Sequence, residues 1–239
     1  HRERVAVLGH DAAALVEALA GATLHTAPAR TAPVVFVFSG QGAAFHGVGR
    51  SLYVEEPLFR DTIDACDRVV RRIAGWSLLD ALLFDDNADR SRQTGVVQPL
   101  LFAIQVGLAR LWQSWGINPA AVVGQSAGEV AAACVAGALP LDEAVRVILH
   151  RGRIMDGMSA GGRTVEVSLP AAEVERVLAG CAGVCVAGEN APSITLVSGD
   201  AEAVRQAVPA LEAAGAECRM LQMEYAFHSH HMDALLEPL

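Results

Sequence analysis

Gly124-Gln125-Ser126-Ala127-Gly128 is the stretch of this sequence best equipped for covalent chemistry. A serine with glycine two residues away on each side fits a nucleophile elbow. There a strand turns sharply into a helix and leaves the hydroxyl at the helix N-terminus. Strand and helix approach closely only if the flanking residues are small, and Gly124, Ala127 and Gly128 are small. Backbone amides and the helix dipole at such a position favour a developing oxyanion. The same letters also fit a glycine-rich turn with a capping serine, so the assignment depends on partners. A serine needs a base. Of eight histidines, His228, His230 and His231 follow the serine, in the chain order Ser then His. His228 sits where an apolar run meets the next helical pattern and is the candidate base. Asp200 lies between Ser126 and His228, as a third member would, but it opens a helical pattern, where capping is the expected role. A Ser126–His228 dyad with the imidazole held by a backbone carbonyl requires no acid. A metal site at His228, His230 and His231 lacks a matching ligand cluster elsewhere in the sequence, so no metal is expected.

Composition limits the chemistry further. The chain has 239 residues, 52% hydrophobic and 19% charged, which describes a globular chain with a substantial core. All 18 basic residues are arginine. The absence of lysine excludes a Schiff base, a Ser-Lys dyad and a phosphate-loop lysine, and leaves arginine as the grip on any anion. A net charge of −9 argues against nucleic acid and anionic membranes as partners. No apolar run reaches the roughly 18 residues of a membrane span. Five scattered cysteines read as buried free thiols in a reducing cytoplasm.

The elements that must carry these residues are legible by period. Val34–Phe38 and Ala120–Val123 are short apolar runs expected as buried parallel strands. Helical patterns cover Pro57–Ile73, Ser77–Leu83, Gln98–Trp112, with Pro99 in its first turn, and Leu141–Met158. Near the start, Asp11 is placed to cap an Ala/Leu-rich helix, in a unit too small to fold without a neighbour. From residue 161 the texture changes to strand, helix, strand, strand, helix, strand, the ferredoxin-like order. The fold class expected is α/β: a large α/β-hydrolase-like subdomain with a parallel sheet (33–160 and 223–239), interrupted by a ferredoxin-like small subdomain (161–222).

These landmarks, in this order, resemble the acyltransferase domain of modular type I polyketide synthases and, more distantly, the malonyl-CoA:acyl carrier protein transacylases. The resemblance covers nearly the whole chain. Residues 1–32 look like the linker from a ketosynthase, and family members continue past the residue matching Leu239, so the large subdomain is expected to be incomplete. The resemblance implies that Ser126 is the nucleophile and His228 the base. It implies an oxyanion hole from the amides of Gln41, in Gly40-Gln41-Gly42, and of Ala127. Arg151, in His150-Arg151-Gly152-Arg153, matches the arginine that binds the free carboxylate of a malonyl-type unit. Arg153, two residues on, points elsewhere on a helix. Gln125 stands where the family usually has histidine, which puts contacts made by that histidine in doubt. Tyr225-Ala226-Phe227-His228 mixes two patterns: Phe227 is the malonyl-like choice and Tyr225 the methylmalonyl-like one, and Phe227 tips the expectation to malonyl.

The implied reaction moves an acyl group from acyl-CoA to Ser126 and then to the phosphopantetheine thiol of an acyl carrier protein, with no permanently bound cofactor. The implied partners are that carrier protein and an adjacent ketosynthase. Two other readings compete: an esterase or thioesterase, which predicts an acidic partner for His228, and an inactive structural piece of a megasynthase.

Overall fold

The structure, a computed structural model, describes residues 3–26, 32–41, 48–84, 93–157, 161–221 and 225–235. Strands β1 (Glu3–Arg4) and β2 (His25–Thr26) pair antiparallel around helix α1 (Ala12–Ala20). Asp11 caps α1 as expected, its carboxylate accepting from the Ala14 amide at 2.8 Å. No side chain of α1 is fully buried, and Leu8, Val16 and Leu19 face solvent.

The next unit follows the apolar runs. Strand β3 (Val35–Phe38) is followed by α2 (Arg50–Glu55), α3 (Pro57–Ala74), α4 (Leu78–Leu83), α5 (Thr94–Ser114), β4 (Ala121–Gly124), α6 (Gly128–Val135) and α7 (Leu141–Asp156). β3 and β4 pair in parallel, from Val35 opposite Ala121 to Phe38 opposite Gly124. Both strands were expected to be buried, and among the described residues only one face of each is. Val37 is 74% and Val123 54% exposed, because among the described residues the sheet has two strands and only one covered face. The covered face packs on a core of Phe59, Ile63, Val70, Phe102, Val145 and Ile148. Each such side chain contributes about 1.5–3 kcal/mol by leaving water.

Helices α5 and α7 cross in near backbone contact: a Cβ added to Gly152 would lie 2.8 Å from Gly95 Cα. At that crossing the Asp156 carboxylate of α7 accepts from the amides of Thr94 and Gly95, both at 2.7 Å. This cap from another helix starts α5 at Thr94, not at Gln98, and leaves Pro99 inside the helix instead of in its first turn. The sequence could not place this start, because its capping group lies 61 residues away. α5 is long and apolar enough to cross a membrane by length and composition, but 78% of its most apolar window is buried in the core.

From residue 162 the order is β5 (Gly162–Val167), α8 (Ala171–Val177), β6 (Val184–Ala191), β7 (Ile194–Asp200), α9 (Ala201–Ala213) and β8 (Cys218–Met220). The strands form one antiparallel sheet in the order β6-β7-β5-β8. The two helices pack on it around Val165, Val167, Val174, Val197, Val204 and Leu211. A 3-10 helix (His230–Leu235) follows. All five cysteines are free, but only Cys66 is buried as expected; burial pushes its thiol up to about 12. Cys181 is exposed and the other three are partly buried.

Candidate active site

Three glycines build the turn between β4 and α6. A Cβ on Gly124 would lie 2.4 Å from Glu129 Cα, and one on Gly128 would lie 2.2 Å from the Phe38 carbonyl oxygen. Both positions therefore exclude any side chain. Gly40 presses on the same turn from β3's end, where a Cβ would meet the Gln125 carbonyl oxygen at 3.0 Å and Ser126 Cβ at 3.3 Å. Ser126 itself is held at φ 53°, the left-handed region that non-glycine residues seldom occupy. The strain is the cost of lifting the hydroxyl off the sheet end.

His228 reaches this hydroxyl from the other end of the chain. Its Nε2 lies 3.1 Å from Ser126 Oγ across 102 residues. It too has a positive φ, 59°. The turn that holds it is tied down at several points. Ala226 is buried against Gly162, where a Cβ would come within 2.4 Å of the Ala226 nitrogen. Ser229 Oγ donates to the Ala226 carbonyl at 2.6 Å, and the His231 amide donates to Ser229 Oγ at 3.2 Å. The Cys185 thiol of β6 donates to the His228 carbonyl at 3.8 Å.

Arg151 completes the cluster from α7. Its Nη2 donates to Ser126 Oγ at 2.9 Å. Arginine has only donors, so Ser126 accepts here and its own proton is left for His228 Nε2. The imidazole that receives it carries its hydrogen on Nδ1. Arg151 Nη1 is buried with no hydrogen-bond partner among the described residues. Burial pulls the guanidinium below its ordinary range, and the nearby Glu129 opposes this. His228 is also pulled below its ordinary value, first by partial burial and then by the Arg151 charge, with Glu129 again opposing. No carboxylate contacts the His228 ring among the described residues.

The remaining predicted positions lie around this centre. Ala127 is buried at the start of α6. Gln41 accepts through Oε1 from Gln98 Nε2 at 3.1 Å; Gly42 lies outside the described residues. Gln125 donates through Nε2 to Asn190 Oδ1 of β6 at 2.9 Å, a bridge between the two sheets. Tyr225 and Phe227 stack, with ring centroids 5.6 Å apart. Arg153 faces away from Ser126, into a depression lined by Ile73, Trp76, Gln93 and Asp156.

A sequence model of the family described as acyl transferase domain matches residues 35–239. The chain belongs to the acyltransferase domain family. Erythronolide synthase EryA3 of Saccharopolyspora erythraea is 37% identical over 227 residues, which is 95% of this chain and 7% of that protein. The acyltransferase domain from the second module of the salinomycin polyketide synthase superposes with a TM-score of 0.91 at 36% identity, covering 98% of this chain and 57% of that one. The malonyl CoA-acyl carrier protein transacylase of Coxiella burnetii gives a TM-score of 0.77 at 28% identity, over 85% of this chain and 67% of that one. The acyltransferase chain thus spans a small part of the polyketide synthase it matches and about half of the salinomycin domain.

Sequence reasoning overlooked several residues that hold this candidate site in place. Gln98, buried in α5, holds Gln41 and leaves its own Oε1 unpartnered. Gln105, about two turns further along the same face, donates to the Ser39 carbonyl at 2.8 Å. Polar residues at core-facing positions of an apolar helix were the signal available. Asn190 and Cys185 carried no comparable signal, since their partners come from distant segments.

Proposed function

We propose that this acyltransferase domain moves a malonyl-type unit from acyl-CoA to the phosphopantetheine thiol of an acyl carrier protein, through an ester on Ser126. The observation that carries the reading is the placement of Ser126 Oγ between His228 Nε2 and a half-buried Arg151 that has a donor to spare. His228 takes the serine proton as Oγ attacks the thioester carbon. The amides of Gln41 and Ala127 receive the oxyanion. As the carbon–sulfur bond breaks, the imidazolium returns the proton to the departing thiol. Oγ is then an ester oxygen, and the Arg151 fork turns to the free carboxylate of the acyl group. The carrier thiol attacks that ester, with His228 again taking a proton and returning it to Ser126.

Its relatives' names support the acyl-transfer class, and the absence of a carboxylate on His228 among the described residues favours it over the hydrolase alternative. In this reading residues 33–160 and 223–239 belong to an α/β-hydrolase-like large subdomain, 161–222 form a ferredoxin-like small one, and 1–32 lead from a ketosynthase, in the cytoplasm. Gln125, Tyr225 and Phe227 line the acyl group, and the Phe227 ring fills space that a branching methyl would need. The test is mass spectrometry after incubation with malonyl-CoA. One malonyl mass on the Ser126 peptide, absent in Ser126→Ala and discharged by carrier protein, is the expected result. An adduct elsewhere, or hydrolysis unaffected by carrier protein, overturns it.

A further inference from the structure

Asp200 does not do what its position in the chain predicts. It precedes the first turn of α9, yet its carboxylate caps no amide there. Oδ1 lies instead 2.7 Å from His231 Nε2 and 3.4 Å from His230 Nε2. Two imidazoles from consecutive residues therefore aim the same ring atom at one carboxylate oxygen, with ring centroids 4.7 Å apart. The three ligand atoms lie within 4.8 Å of one another. The His231 side chain is 19% exposed, while His230 and Asp200 are about half exposed, so the cluster is backed by protein and open to solvent.

Two imidazoles and one carboxylate form the donor set of a borderline dication such as Zn²⁺ or Co²⁺, and not of Mg²⁺ or Ca²⁺, which take oxygen ligands. A tetrahedral ion with bonds of 2.0–2.1 Å holds its donors about 3.3 Å apart. The Asp200–His230 separation of 3.4 Å already matches. The Asp200–His231 pair, at 2.7 Å, must open by about 0.6 Å, and the two imidazole nitrogens, within 4.8 Å of each other, must close by up to about 1.5 Å, changes within reach of side-chain rotation. The sequence expectation of no metal rested on the lack of a matching ligand cluster elsewhere in the chain, and the fold brings one carboxylate to His230 and His231, 31 residues from the latter.

We infer that Asp200, His230 and His231 bind a single zinc-class dication, with water in the open position. The ion ties the β7–α9 junction to the 3-10 helix that follows His228. It stays out of the acyl-transfer chemistry, and the inference does not depend on that reading.

The test uses this chain, stripped with a chelator, dialysed and titrated with Co²⁺. One Co²⁺ per chain is expected, with the visible d–d absorption of a four- or five-coordinate ion and a Kd on the order of 1–10 μM. One equivalent of Zn²⁺ should bleach the absorption and raise Tm by several degrees, while Mg²⁺ does neither. Asp200→Asn and His230→Ala should each weaken binding at least about tenfold. Both side chains are half exposed, and circular dichroism checks that the variants fold. Cys181→Ser and His150→Ala should leave binding unchanged. Lack of stoichiometric uptake by the unmutated chain, or uptake that His230→Ala leaves intact, overturns the inference.

Discussion

Arg151→Ala separates a dicarboxylate transferase from a general serine acyltransferase. In the free site Arg151 gives one donor to Ser126 Oγ at 2.9 Å and keeps Nη1 buried without a partner. In the proposed function a malonyl ester places a carboxylate where both donors meet it with parallel charge-assisted bonds. Truncating Arg151 leaves that carboxylate unpaired in a partly desolvated pocket, at a cost of about 2–5 kcal/mol. Malonyl transfer should therefore fall about 30- to several-thousand-fold in kcat/KM. An acetyl group has no carboxylate, and the bond lost from Ser126 is a ground-state bond, so acetyl transfer should fall less than about tenfold. Arg151→Lys keeps the charge but loses the fork, and should lie between. Arg153→Ala is the control, since that side chain faces the depression beside Ile73 and Trp76. The assay is carrier loading from malonyl- and acetyl-CoA by the four proteins. Equal losses for both substrates in Arg151→Ala would show that Arg151 only supports the turn around Ser126. A shift in preference confined to Arg153→Ala would place the carboxylate grip on the other side of α7.

Phe227→Ser removes the ring stacked on Tyr225 and should raise methylmalonyl relative to malonyl loading, measured by competition, by no more than about 10- to 200-fold, because one methyl is worth about 1–3 kcal/mol. Gly128→Ala forces a Cβ to within 2.2 Å of the Phe38 carbonyl oxygen, so it should cost about 1–3 kcal/mol or more in urea unfolding, and Ser126 acylation should fall with it. Burial would raise the Asp67 carboxyl, but hydrogen bonds from the Leu79 amide, Arg71 and Ser77 outweigh it and hold the group below its ordinary range. Its contribution is therefore complete above the unfolded value near 3.9 and is lost as pH falls through the folded value. Asp67→Asn should lower the urea midpoint at neutral pH, and its midpoint should converge with that of the unmutated chain below about pH 4.

The parts of this protein that obey local rules were legible in its sequence. Gly124, Ser126 and Gly128 announce the elbow because part of its sterics is local, Gly124 meeting Glu129, although Gly128 meets the end of β3 from a distant segment. The period of apolar residues located α3 and α7 within a few residues and gave the order of the elements from β5 to β8. The short helix α2 was overlooked, and the start of α5 was misplaced. What the sequence could not supply was the meeting of distant segments. It offered His228 and Arg151 by order and resemblance, but only the fold sets them 3.1 and 2.9 Å from one hydroxyl. Local preference misled at Asp200: the residue sits where a carboxylate normally caps a helix, yet two histidines from beyond β8 claim it. The start of α5 was displaced for the same reason, because Asp156 of α7 satisfies its first amides. Capping, burial of β3 and β4, and the contacts of Gln98 and Asn190 all depend on which surfaces tertiary packing brings together. A carboxylate or an amide takes the best donor within reach, and sequence distance does not limit that reach once the chain has folded.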